Sequence, residues 1–162
     1  MKPIDNLTDF FGKVSSYLVL ILSILVVYDA LSRYLFHSGS VALQELEWHI
    51  FDVIFLVGLS WALKSDEHVR VDIFYSKFSP KTKAFTNLIS MIFLIIPFSI
   101  MIVYTSSNFI YLSYLQDEIS SDPGGLKYRY VIKGFIAFGF VLLALQALSE
   151  AYKNFKILRG QK

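Results

Sequence analysis

The hydrophobic positions fall into four blocks, 14–35, 48–63, 84–114 and 130–148, separated by short polar stretches. Each block is at or near the ~20 residues that a helix needs to cross a bilayer at about 1.5 Å per residue. The pattern therefore predicts helices at about 14–36, 43–64, 81–116 and 128–154, in a single four-helix membrane domain covering 1–162. The expected fold class is an all-α integral membrane protein with four transmembrane helices. The first block outruns the ~7–15-residue core of a signal peptide and lacks a small-x-small cleavage site, so it is expected to stay as a membrane helix. The mixed-charge segment before it reads as an interfacial lead-in, with Phe10 and Phe11 among the headgroups.

The third block would run about 50 Å if unbroken, longer than a hydrocarbon core of about 30 Å, so it must tilt or project. Pro97 within it predicts a kink, with Ser99 or a neighbouring helix satisfying the freed carbonyl. Ser79-Pro80 marks its start. Between the second and third blocks, Val69, Val71 and Ile73 alternate as in a strand. A lone strand has nothing to pair with. Val69, Ile73 and Phe74 are also one helical turn apart, which fits a short interfacial amphipathic segment equally well.

Composition agrees with the blocks. The chain is 55% hydrophobic and 17% charged, against about a quarter charged in soluble domains. Fifteen Phe and ten Tyr suit lipid contact and the bilayer interface. With no cysteine, disulfides, thiol catalysis, iron–sulfur clusters and thiolate zinc sites are excluded. A net charge of +2 with scattered basic residues leaves no nucleic-acid footprint.

The basic residues also set an orientation. Four spans put both termini on one side, with Lys2, Lys13, Lys64, Arg70, Lys77, Lys81, Lys83, Lys153, Lys156, Arg159 and Lys162. Arg33, Lys127, Arg129 and Lys133 lie on the other. By the positive-inside rule, both termini and the 65–83 connection should be cytoplasmic (N-in/C-in). The loop with Asp117, Glu118, Asp122, Pro123, Gly124 and Gly125 should face outward.

The charged residues near the outer ends are the candidate site. Asp29 and Arg33 stand at i, i+4 and can pair with each other or with another helix. Glu45, His49 and Asp52 share one face of the second helix, and Lys133 lies about a turn inside the fourth. Charge at that depth must be paired or wet. Three readings follow: an inter-helix network (Arg33 with Asp52 or Glu45), a docking surface for another protein, or a pathway. A pathway needs polar groups across the membrane, whereas 53–63 is almost entirely apolar. On the fourth helix Gly134, Ala137, Ala144 and Ala151 form a stripe of small residues that allows close helix packing. His68 and Asp72, one turn apart if helical, can cap or fold the 65–83 connection back, or meet a partner or lipid headgroups.

Chemistry finds little to work with. Glu45, His49 and Asp52 offer three metal ligands without a closing fourth. Haem needs axial histidines at one depth, but His49 and His68 would lie about 28 Å apart along a helix, and His37 sits in a loop. A redox-linked anchor binding haem or quinone is the alternative function. No serine has an adjacent base in a nucleophile motif, and no phosphate-binding glycine loop occurs, so neither an enzyme nor an ATPase is expected.

Ser32-Arg33-Tyr34 stands at the end of helix one, Gln44-Glu45-Leu46 at the start of helix two and Gly58 within it, and His68-Val69-Arg70-Val71-Asp72 and Ser79-Pro80 follow. Together, in this order, these residues resemble the small membrane subunit, the DctQ-like component, of tripartite ATP-independent periplasmic (TRAP) transporters. The chain departs from the common pattern at Gln44, where an acid is frequent, and at Trp48, where a basic residue is common. The 42–52 segment, Asp122-Pro123-Gly124-Gly125-Leu126, and Ile132-Lys133 with Gly139-Phe140 resemble the mannitol/chloroaromatic/2-oxo-acid subgroup. The resemblance implies a noncatalytic permease subunit in the bacterial inner membrane, part of a sodium-coupled transporter for organic anions. It implies a large elevator-type subunit that holds sodium and substrate, a periplasmic binding protein that delivers the substrate, and no cofactor in this chain. It further implies that Asp29, Arg33, Glu45, His49, Asp52, His68, Asp72 and Lys133 serve helix or large-subunit contacts amid membrane lipids, and that the 117–125 loop helps dock the binding protein.

Overall fold

The computed structural model describes residues 2–66, 75 and 77–160. They form four long helices: α1 (Lys2–Phe36), α2 (Val41–Lys64), α3 (Pro80–Leu115) and α4 (Arg129–Leu158). Each contains a stretch long and apolar enough to cross a membrane, and no strand occurs among the described residues. The interfacial segment expected around 69–74, with His68 and Asp72, lies outside the described residues.

Local chemistry sets the helix ends. The Ser40 hydroxyl accepts the Leu43 N–H at 3.4 Å and starts α2. Ser79 accepts the Thr82 N–H at 3.2 Å, and Pro80, which has no N–H to lose, opens α3. His37, with φ 50, turns the chain between α1 and α2.

Two expectations are corrected. Residues 2–13 are not a separate interfacial lead-in, because α1 begins at Lys2 and runs unbroken to Phe36. Its mixed-charge start is held by polar contacts to α2 and α4 that local sequence does not announce. In α3 the irregularity precedes Pro97 as one π turn, Met91–Ile95. There the Ile96 N–H reaches back to the Met91 carbonyl. Ser99 donates to Ile95 O at 2.7 Å, its own i−4 carbonyl, rather than to the Phe93 carbonyl that Pro97 frees.

The helices stand in a row. α4 packs between α2 and α3, and α2 packs between α4 and α1, which also touches α4. The core is formed by Leu63, Met91, Leu143, Ala147 and Ala151. α2 and α4 approach closely at Gly139, where a Cβ would lie 2.7 Å from the Leu56 carbonyl oxygen. The expected small-residue stripe is thus only partly the packing seam. Ala151 is buried, while Ala137 and Ala144 are half-buried and the Gly134 position opens onto empty space. A row leaves broad apolar faces open: Ile24 of α1 is 72% exposed and Phe93 of α3 is 70% exposed. Such faces belong against lipid or another membrane protein.

Candidate functional site: a charged cleft at one end of the row

At the end opposite the termini, the 116–128 loop folds back over α2 and α4. Glu45, in the first turns of α2, anchors it. One carboxylate oxygen takes the Ser120 hydroxyl, and the other accepts the Leu126 N–H at 2.6 Å. Gly125 is required here for space: a Cβ would fall 2.7 Å from Glu45 Oε2 and against Ser120. Gly124, at φ 83, takes the left-handed turn beside it. The Ser120 N–H donates to Leu126 O at 3.0 Å, closing the loop on itself.

A second tie joins the loop to α4. The Lys133 ammonium donates to the Glu118 carboxylate and lies 3.8 Å from the centre of the Phe109 ring of α3. That hydrogen bond holds the Glu118 carboxyl below the usual glutamate range. The Arg129 N–H donates to Glu118 O at 3.0 Å, and α4 starts there from Tyr128 in the left-handed region at φ 63.

Between these ties is an open cleft of about 570 Å³. Glu45, His49 and Asp52 of α2 line one wall, and Arg129 and Lys133 line the other, with Glu118 and Asp122 from the loop. The structure thus brings Glu45, His49, Asp52, Glu118, Asp122 and Lys133 together. It does not bring Asp29 and Arg33 to them. Arg33 Nη2 sits 2.8 Å from Asp29 Oδ2 within α1, so the pair is local and the expected Arg33 bridge to Asp52 or Glu45 is not made. Asp29 is fully buried, and the guanidinium lies off its hydrogen-bonding axis, so both carboxylate oxygens lack a hydrogen bond. Among the described residues no three His, Asp or Glu side chains are placed to hold a metal ion. Chemically, the cleft can present charge of both signs and hold a loop in place.

The sequence reading missed a second polar cluster, at the terminal end. Asp5 Oδ1 accepts from Gln146 Nε2 at 3.1 Å, Ser149 Oγ at 3.1 Å and Lys153 Nζ at 2.8 Å. Thr8 donates to Gln146 Oε1 at 2.8 Å, and Gln146 also reaches Glu150 at 2.8 Å. From α2, Lys64 pairs with Asp9 and donates to the Asp5 carbonyl at 3.0 Å. The available signal was spacing: Gln146, Ser149, Glu150 and Lys153 stand at i, i+3, i+4 and i+7, one polar stripe on an otherwise apolar helix.

Comparison with known proteins adds to this geometry. The family model for tripartite ATP-independent periplasmic transporters, DctQ component, matches residues 22–157. The chain is also similar to the sialic acid TRAP transporter permease protein SiaT of Haemophilus influenzae (strain 86-028NP). The two are 24% identical over 156 residues, which is 96% of this chain and 24% of that protein. The chain therefore spans about a quarter of the length of that relative.

Proposed function

The chain belongs to the DctQ component family of tripartite ATP-independent periplasmic transporters, and from that premise we propose that it is the small permease subunit of a sodium-coupled transporter for organic anions. It is a multi-pass protein of the bacterial inner membrane and a transporter component, not a catalyst. In this proposal a large membrane subunit moves the substrate by an elevator-type motion and holds the sodium ions. A periplasmic binding protein delivers the substrate, and this chain scaffolds the large subunit without a cofactor of its own. The cleft end faces the periplasm, and the 116–128 loop helps dock the binding protein.

One observation carries the division of labour. The charged lining of the cleft stops at Asp52. From there to Lys64 the only hydroxyl on α2 is that of Ser60, which is buried and bonded back to Val57 O at 3.0 Å. Among the described residues the polar lining of the cleft does not continue along α2, which supports transport by a partner. The Haemophilus relative supports that reading, since its counterpart of this chain is about a quarter of one longer permease protein. Its name supports an acid as the substrate class.

Reconstitution tests the proposal. Proteoliposomes holding this chain alone should take up nothing. Adding the large subunit and binding protein should give sodium-dependent uptake of an organic acid. Uptake by the chain alone, or by the large subunit equally well without it, would overturn the assignment.

A further inference from the structure

We infer that the open face of α2 carrying Trp48, Phe51, Asp52 and Phe55 is the surface that docks the large subunit, and that a basic side chain of that subunit meets Asp52. The inference rests on the small-subunit reading above and adds the face and its chemistry.

The four residues stand at i, i+3, i+4 and i+7, a single stripe. α2 buries Leu56, Val57, Ser60 and Leu63 against its neighbours, which leaves this stripe uncovered. Trp48 is 74% exposed, Phe51 58% and Phe55 57%, and Asp52 is exposed between them. Counting at about 1.5 Å per residue, Asp52 lies roughly 16 Å from the start of α2 and 18 Å from its end, near the middle of the helix. Among the described residues no cation comes within ion-pair distance of it. Of the two basic groups on the opposite wall of the cleft, Lys133 is taken by Glu118 and Phe109, and Arg129 makes no ion pair with Asp52. Asp29 on α1 has Arg33 beside it.

Charge decides the occupant. Acyl chains cannot serve, because a carboxylate at that depth is costly unless something pairs with it or wets it. A second copy meeting this face through a twofold axis would set Asp52 against Asp52 and deepen the problem. A neighbouring membrane helix with an arginine or lysine at matching depth satisfies the carboxylate. The three large aromatics then supply the apolar contact typical of an interface centre.

The natural chain has no cysteine, so a photo-crosslinking maleimide reports one position at a time. Trp48→Cys, Phe51→Cys and Phe55→Cys are compared with Ile24→Cys on α1 and Phe93→Cys on α3, each in the co-expressed two-subunit complex with Asp52 intact. Crosslinks to the large subunit are expected from 48, 51 and 55, on the order of tenfold above 24 and 93. Asp52→Lys should lower recovery of the complex by about tenfold, and Asp52→Asn by less. Crosslinks confined to 24 or 93, crosslinks only between copies of this chain, or undiminished recovery of Asp52→Lys overturns the docking face. If the natural chain itself fails to co-purify with a large subunit, the small-subunit reading falls and this inference falls with it.

Discussion

Glu45 of α2 accepts the Leu126 N–H at 2.6 Å, from 81 positions further along the chain. One carboxylate thereby fixes the 116–128 loop to the mouth of the cleft, and its other oxygen takes the Ser120 hydroxyl. Glu45→Ala removes both acceptors at once. Backbone amides of the loop, Leu126 first, should then exchange with solvent on the order of tenfold faster, while amides in the α4 core stay unchanged. Gly125→Ala should give the same signature by the opposite route, since its Cβ collides with Glu45 and Ser120. Loop exchange that matches the natural chain in both variants would show the contact to be incidental.

The second anchor of the loop is sensitive to pH. Lys133 holds the Glu118 carboxyl below its usual range. A carboxyl lowered on folding contributes stability above its unfolded value of about 4.3 and loses that contribution as pH falls through the lowered folded value. The tie should therefore be at full strength above about pH 5 and weaken below about pH 4. Thermal unfolding in detergent between neutral and acid pH measures this. Lys133→Met should flatten the acid limb, and an unchanged slope in that variant would assign the pH dependence to other carboxylates.

Gln146 is fully buried and bonded to Thr8, Asp5 and Glu150. Gln146→Leu keeps comparable bulk but strands the Thr8 hydroxyl and removes one donor from Asp5. The expected loss is about 1–3 kcal/mol of stability, the cost of leaving buried polar groups unpaired. Limited proteolysis should then cut near residues 5–13 first, because those contacts hold the start of α1 to α4. Equal stability and an equally protected N-terminus would indicate that the start of α1 is held by other contacts, for which Gly12 against Trp61 is the candidate.

What was legible in the sequence follows the range of the interactions. The four spans could be read because apolar runs report their membrane setting residue by residue, and the start of α3 because Ser79 and Pro80 act within one turn. The grouping of Glu45, His49 and Asp52 followed from helical periodicity, and topology added Lys133 and the loop acids. The start of α1 was not legible, because Asp5 meets Lys153 across 148 positions and a mixed-charge segment looks the same whether or not a partner waits for it. The row arrangement was equally hidden. Small residues mark where helices can approach, and only the full packing shows that Gly139, not Gly134, is used.

The orientation is a separate, sharper test. By the positive-inside rule, eleven basic residues on the terminal side against four on the cleft side should put the cleft outside the cytoplasm. In a chain without cysteine, Asp122→Cys should react with a membrane-impermeant maleimide in spheroplasts, whose outer membrane is removed. Arg159→Cys should react only once the inner membrane is opened. Asp122 lies in the exposed loop and Arg159 is exposed just beyond α4, so neither result is confused by burial. The reverse pattern would turn the cleft and its anchored loop to the cytoplasm. A periplasmic binding protein could not reach them there, and Glu45 and Glu118 would be left with a role in holding the helices alone.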